Sequence, residues 1–136
     1  MKTASFEEIE HTADLALRVR GESLADLLHN AAQGLIHILQ PRFRPRAPET
    51  RVLRLEAEDP ETLLVSWLEE LLFLLETEGR LPTLVQLHLE PGNRLEAHVR
   101  LGECESVQTH IKAVTFNDLE IRPSEEGLRA TVVFDV

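Results

Sequence analysis

The sequence has a single cysteine, Cys104, and no apolar stretch of membrane-spanning length. One cysteine can form neither an internal disulfide nor a zinc site built from several thiolates. Glu or Gln interrupts the longest apolar stretches, which stay well short of the ~20 residues that a membrane span needs. The N-terminus runs into acidic sequence without a targeting pattern. These absences predict a soluble, cytoplasmic protein that does not contact membranes.

Basic residues are also scarce, because 14 lysines and arginines stand against 24 aspartates and glutamates, a formal net charge of -10. Such a charge repels the phosphate backbone that provides most nonspecific nucleic-acid affinity. We therefore expect no strong direct binding of nucleic acid. The sequence also lacks a Gly-rich phosphate loop, a G-x-S-x-G elbow and an H-E-x-x-H helix, the common signs of an enzyme site.

The chain has 136 residues, of which 43% are apolar and 28% charged. These values are ordinary for a single globular domain. No linker divides the chain, so we predict one domain over residues 1–136. The oligomeric state stays open, and a homo-oligomer is compatible with the sequence.

The sequence predicts two long amphipathic helices. The first, "SLADLLHNAAQGLIHILQP", has leucines at helical spacing, Ser23 as its N-cap and Pro41 after its end. The second, "DPETLLVSWLEELLFLLETEG", has Asp59 as its cap, Gly79 near its C-terminus and a broad apolar stripe that includes Trp67. We expect this second helix to be the most buried element and Trp67 to lie in the core.

The other periodic segments alternate by two, which is typical of strands with one buried face. Turn residues in "PGN" and "PSEEG" separate neighbouring segments and predict antiparallel hairpins. The fold class is therefore α+β, with two long helices packed on mainly antiparallel sheet. The alternating apolar positions are Leu15, Leu17 and Val19; Leu53, Leu55 and Ala57; Val85, Leu87 and Leu89; and Leu95, Ala97, Val99 and Leu101.

Two polar motifs are candidate sites. "HTAD", from His11 to Asp14, reads as a turn that satisfies nearby backbone, or as a source of one cation ligand if further carboxylates join Asp14. "IKAVTFNDLEI" contains Lys112 and Asp118, which read as a surface charge and a turn residue. A lysine beside several acids can also neutralise them or orient one carboxylate.

The end of the sequence, "ATVVFDV", combines a strand pattern with Asp135 next to Val136. This segment is either a core strand that ends there or a site that uses two neighbouring carboxylates, those of the Asp135 side chain and of the chain terminus at Val136. Other polar groups have plainer explanations: His88 and His98 fit the solvent face of their strands, and Cys104 lacks any sign of an activating base. "PRFRPRAP" reads as a solvated, proline-stiffened loop that joins a helix to a strand.

Taken together, "HTADLALRVRGESLADLLHNAAQGL", "LLVSWLEELLFLLE", "IKAVTFNDLEI" and "VVFDV" resemble the archease family, in order and over nearly the whole chain. The resemblance implies a small cytoplasmic protein that assists the RNA ligase of tRNA splicing, which joins 3′-phosphate or cyclic-phosphate ends to 5′-hydroxyl ends. It implies an accessory protein that promotes guanylylation of the ligase and its multiple turnover, and not an enzyme.

The resemblance also implies a divalent cation, calcium in the first place, with Mn²⁺ or Mg²⁺ as alternatives. By position its ligands are Asp14, Asp135 and Val136, the last through its terminal carboxylate or backbone oxygen. Three further residues would then either contact these ligands without binding the ion or face the partner protein: His11, Lys112 and Asp118. One departure concerns Phe116, which stands where relatives often have tyrosine and so lacks the hydroxyl.

Two other functions remain open as alternatives to the one that the resemblance implies. One is a metal-dependent hydrolase in which Asp14, Asp118 and Asp135 hold the ion and His11 acts as the base. The other is a general chaperone or interaction module that uses an exposed apolar helix face. Turnover of phosphoesters by the protein alone would favour the first, and broad suppression of aggregation would favour the second.

Overall fold

A computed structural model describes residues 5–11 and 14–136, with the side chains of residues 10, 11 and 14 outside the description. Within these residues the helices are α1 (Leu24–Leu39) and α2 (Pro60–Glu78). The strands are β1 (Phe6–His11), β2 (Asp14–Gly21), β3 (Arg42–Phe43), β4 (Glu49–Glu56), β5 (Arg80–Glu90), β6 (Arg94–Ser106), β7 (Ala113–Thr115), β8 (Arg122–Ser124) and β9 (Gly127–Asp135).

Side-chain caps determine where both helices begin. The Ser23 hydroxyl accepts a hydrogen bond of 3.1 Å from the backbone N–H of Asp26 at the start of α1. The Asp59 carboxylate accepts one of 2.7 Å from the N–H of Thr62 at the start of α2, which ends at Gly79 with a left-handed φ of 66°. Each cap satisfies a backbone group that the helix leaves unpaired. The predicted helices are thus confirmed.

The strands form two antiparallel sheets. In the first sheet the order is β1-β2-β9-β7, and β8 also pairs with β9. In the second sheet the long strand β6 pairs with β3, β4 and β5. Both predicted hairpins are present, because β5 pairs with β6 across "PGN" and β8 pairs with β9 across "EE". The fold is therefore α+β, with both helices packed on antiparallel sheet in one compact domain, as predicted.

The segment predicted as a solvated loop at "PRFRPRAP" is partly a strand. Arg42 and Phe43 form β3, and Phe43 pairs with Cys104 of β6. Beyond the strand, Arg44 and Arg46 form ion pairs of 3.2 and 3.1 Å with Glu103. Acidic residues on β6 thus hold a basic segment whose composition alone suggested a loop.

The core lies between the helices and the inner faces of the sheets. Trp67 of α2 is fully buried, and its indole N–H donates a hydrogen bond of 2.9 Å to the carbonyl oxygen of Leu28 in α1. This bond satisfies the only polar atom of the ring inside an apolar environment. The two helices are therefore joined by a specific contact as well as by their leucines.

The expectation that α2 would be the most buried element is wrong. α1 buries eight of its 16 residues, whereas α2 buries seven of 19. The reason is a stripe on α2 that faces solvent and includes Glu69, Phe73 and Thr77. Phe73 is 57% exposed although it lies within a leucine-rich run.

Two glycines permit a close crossing between the start of β9 and the end of β2. Gly127 has φ of 122°, and a Cβ at this position would lie 2.4 Å from the carbonyl oxygen of Gly21. A Cβ at Gly21 would itself lie 2.3 Å from the backbone nitrogen of Leu27. Glycine is thus required on steric grounds where β2, β9 and α1 meet.

We expect Trp67→Ala to lower the free energy of unfolding by about 3–5 kcal/mol, because it removes a large buried ring and leaves a cavity in the core. The matched control is Phe73→Ala on the same helix, whose exposed ring should cost about 0.5 kcal/mol or less. Urea unfolding followed by circular dichroism measures both. Equal losses would mean that α2 is oriented differently from the structure described here.

Candidate functional site

The register of the first sheet brings distant parts of the chain to one sheet end. Leu15 of β2 pairs with Phe134 of β9, so the preceding residue, Asp14, comes level with Asp135. Asp14 also pairs with His11 of β1, and Asp135 pairs with Ala113 of β7. The backbones of these four residues therefore form one row across four strands.

Lys112 lies beside this row, but Asp118 does not. The backbone N–H of Lys112 donates a hydrogen bond of 2.8 Å to the carbonyl oxygen of Asp135. β7 then runs away from this end, because its last residue, Thr115, pairs with Val133. Asp118 follows in an exposed turn with a left-handed φ of 52°. Of the two residues, only Lys112 is adjacent to the row along the backbone.

The side chains at this sheet end point into solvent where the structure describes them. Asp135 and Lys112 are exposed, and Val136 is 42% exposed. Among the described residues, the Asp135 carboxylate has neither an ion pair nor a hydrogen bond. Other carboxylates of the protein are paired by contrast. The two oxygens of Glu78, the last residue of α2, accept hydrogen bonds of 2.8 Å each from Arg51, which lowers the pKa of Glu78. With respect to the described side chains, the Asp135 carboxylate is thus available to a ligand.

The donor set suits a hard divalent cation. Asp14 and Asp135 offer carboxylate oxygens and Val136 offers main-chain oxygen, and oxygen is the donor that Ca²⁺, Mg²⁺ and Mn²⁺ prefer. Over the described side chains, no three of His, Cys, Asp and Glu lie close enough together to hold a metal ion. The side chains of His11 and Asp14 lie outside the described part of the chain. The ligand set therefore stays a prediction.

The histidines of the second sheet lie on its outer face. His88 and His98 have side chains that are 70% and 48% exposed, as the sequence predicted. His98 Nε2 lies 2.7 Å from a carboxylate oxygen of Glu96. This hydrogen bond, with a smaller contribution from the charge of Arg54, lowers the pKa of Glu96. These contacts are typical of an ion-paired surface.

Sequence reasoning missed a groove beside α2. A cavity of about 420 Å³ is lined by Phe73 and Glu76 of α2 and by Lys112 and Ala113. A second cavity, of about 550 Å³, shares Leu72, Glu76 and Lys112 with it. The available signal was the helical spacing of Ser66, Glu69, Phe73 and Thr77, which puts an aromatic ring in a polar stripe.

None of the described helices is both long and apolar enough to cross a membrane.

The fold is that of a small α+β protein, and its candidate site is a set of oxygen donors at one sheet end. Residues 6–136 match the model of the Archease protein family. The chain therefore belongs to the archease family. It is 32% identical to the protein archease of Methanosarcina acetivorans over 139 residues, which cover 96% of this chain and 95% of the relative. It is 34% identical to the protein archease of Thermococcus gammatolerans over 130 residues, 90% of this chain and 91% of the relative.

Solved structures of similar proteins share the fold. The solution structure of Methanobacterium thermoautotrophicum protein 1598 superposes with a TM-score of 0.77 at 27% identity, over 97% of this chain and 99% of the other. The crystal structure of an archease from Thermotoga maritima, described as a possible chaperone, superposes with a TM-score of 0.72 at 25% identity. That match covers 100% of this chain and 98% of the other.

Cys104 should react slowly with thiol reagents. The thiol is partly buried, and burial raises its pKa, so the reactive thiolate is rare near neutral pH. We expect Ellman's reagent at pH 8 to modify the folded protein about tenfold more slowly than free cysteine, and unfolding in urea to remove the difference. A folded-state rate equal to that of free cysteine would show that Cys104 is an accessible nucleophile.

Proposed function

We propose that this chain is a cytoplasmic accessory protein that binds a divalent cation and activates the 3′-phosphate RNA ligase of tRNA splicing. It promotes guanylylation of the ligase and multiple turnover, and it catalyses no reaction itself. One observation carries the proposal: the register of β2 and β9 brings Asp14 level with Asp135, the two aspartates that the family resemblance implies as ligands. Membership of the archease family supports it further.

In this proposal Asp14, Asp135 and Val136 hold the cation through oxygen atoms. Calcium is the first candidate, with Mn²⁺ or Mg²⁺ as alternatives. A bound cation supplies concentrated positive charge, and so few protein ligands leave coordination positions for water or for groups of the partner. The backbone hydrogen bond from Lys112 holds the main chain of Asp135 in place. His11 and Asp118 serve as residues that face the partner.

The charge of the protein favours this kind of partner. A net charge of -10 attracts the chain to the basic, RNA-binding face of a ligase. The attraction raises the encounter rate and orients the complex, and it avoids competition for RNA because the chain repels phosphates. An acidic accessory protein thus suits an enzyme that works on nucleic acid.

A ligation assay with the RNA ligase of the same organism tests the proposal. With RNA substrate in large excess over ligase, adding the chain should increase both guanylylated ligase and the number of ligations per ligase molecule. Neither quantity should change if the chain is a general chaperone, which would instead suppress aggregation of unrelated proteins. The comparison between ligase activation and general chaperone activity is informative because the archease of Thermotoga maritima is described as a possible chaperone.

The hydrolase alternative has its own test, which needs only the purified chain. Incubation with Ca²⁺, Mg²⁺ or Mn²⁺ and generic phosphoesters should give no turnover. Hydrolysis that disappears in Asp135→Asn would favour an enzyme instead.

Asp14→Asn and Asp135→Asn should each abolish stimulation of the ligase and weaken calcium binding at least about tenfold, because each removes one negative charge from the ligand set. Asparagine keeps the shape of aspartate, so the melting temperature should hardly change. Calorimetric titration with Ca²⁺ and the ligation assay measure the two effects.

The matched control is Asp118→Asn, which removes the same charge from the exposed turn beyond β7 and tolerates its left-handed backbone. We expect it to retain calcium binding. An equal loss of binding in Asp118→Asn and Asp135→Asn would contradict the assignment of the ligands to the β2–β9 sheet end.

A further inference from the structure

The solvent-facing side of α2 has an aromatic ring at its centre. Phe73 is 57% exposed and lies one helical turn from Glu69, Glu70 and Glu76, at spacings of four, three and three residues. Residues at these spacings are neighbours on a helix surface. The ring is therefore surrounded by carboxylates in the middle of the helix, where an apolar side chain gains nothing from exposure to water.

The charges of α2 are balanced at its ends but not around Phe73. The helix carries five glutamates and no lysine, arginine or histidine. Glu61 accepts a hydrogen bond of 3.0 Å from the backbone N–H of Ile121, and Glu78 is paired with Arg51 at 2.8 Å. Across the described part of the chain, Glu69, Glu70 and Glu76 have no ion pair or hydrogen bond. Three neighbouring like charges without a partner repel one another.

A groove runs from this ring toward the candidate metal site. One of the two cavities described above is lined by Lys112 and Ala113 together with four residues of α2: Glu69, Glu70, Phe73 and Glu76. Lys112 makes no ion pair with any side chain that the structure describes. One lysine against three carboxylates leaves the groove negative. We call this surface, from Glu69 to Glu76 and across to Ala113, the α2 groove.

The α2 groove is continuous with the sheet end that contains Asp135. Ala113, which lines the groove, pairs directly with Asp135, and Lys112 donates its backbone N–H to the Asp135 carbonyl. A partner bound at the sheet end therefore has this face of α2 as an adjoining surface. The adjoining cavity of about 550 Å³ shares Leu72 with the groove and adds Leu75 and Ile111 as apolar lining.

We propose that the α2 groove binds a basic, amphipathic segment of the partner protein. An arginine or lysine of that segment stacks on the exposed face of Phe73 and bonds to the surrounding carboxylates, while an apolar side chain packs against Leu72. Cation–π stacking and charge-assisted hydrogen bonds both favour a cationic side chain here. RNA does not suit this surface, because the carboxylates repel phosphates. The inference rests on the proposed function, since it names the second contact surface for the ligase.

Calorimetric titration of the ligase with variants of the full chain tests the inference. Phe73→Ser should raise the dissociation constant about tenfold or more, as expected for an anchor residue. The triple variant Glu69→Gln, Glu70→Gln and Glu76→Gln should raise it as well and make it less dependent on salt. All four residues lie on the surface of α2, so circular dichroism and the melting temperature should stay close to those of the parent.

Two controls separate this local surface from general effects. Leu84→Ser removes another exposed apolar side chain, which is 42% exposed on the second sheet. The triple variant Glu22→Gln, Glu56→Gln and Glu58→Gln removes the same charge from exposed positions outside the groove. Both controls should keep the dissociation constant within about twofold of the parent.

Ligation assays distinguish this surface from the metal site. Phe73→Ser should require a higher concentration for half-maximal stimulation but reach the same maximum, whereas Asp135→Asn should lower the maximum itself. If the parent binds and stimulates the ligase but Phe73→Ser and the groove triple variant behave like it, the inference is wrong and the proposed function stands. If the parent neither binds nor stimulates, the proposed function fails and the inference falls with it.

Discussion

The register of β9 is the constraint on which the rest of the molecule depends. This strand pairs with β2 on one side and with β7 and β8 on the other, so both of its edges are hydrogen-bonded to other strands. A slip by one residue would turn Val132 and Phe134 out of the core and move Asp135 away from Asp14. The crossing at Gly21 and Gly127 admits no side chain and resists such a slip. Core packing and the position of the candidate site are therefore set together.

The sequence predicted the local structure well because local structure has local causes. The caps at Ser23 and Asp59 lie within four residues of the groups they bind, and the helices begin where those caps indicate. Strand alternation likewise revealed the buried faces. The pairing of β2 with β9 joins residues more than 100 positions apart, and no pattern within either strand specifies it. Asp14 and Asp135 came together in the sequence interpretation only through the family resemblance.

The expectation for α2 failed for a related reason. A leucine-rich helix looks buried on all sides when only composition is considered, yet burial depends on which faces have neighbours. α2 packs against α1, β5, β7 and β4, but the stripe that includes Phe73 borders an open groove, and the Phe73 ring stays 57% exposed. The ion pairs of Arg44 and Arg46 could not be predicted from local sequence either, because their partner Glu103 is distant in the chain. Sequence periodicity predicts that a face is apolar, and the tertiary fold decides what covers it.

The placement of Trp67 has a spectroscopic consequence. The chain contains one tryptophan and no tyrosine, so nearly all of its near-ultraviolet absorption and fluorescence comes from one indole ring. That ring is buried and hydrogen-bonded to the carbonyl oxygen of Leu28 between α1 and α2, so it is not part of the exposed face of α2. Its emission should be blue-shifted in the native protein and should move to longer wavelength when the helices separate. The fluorescence of this chain is thus a clean reporter of its core, and a partner that contains tryptophan could be observed against a steady background.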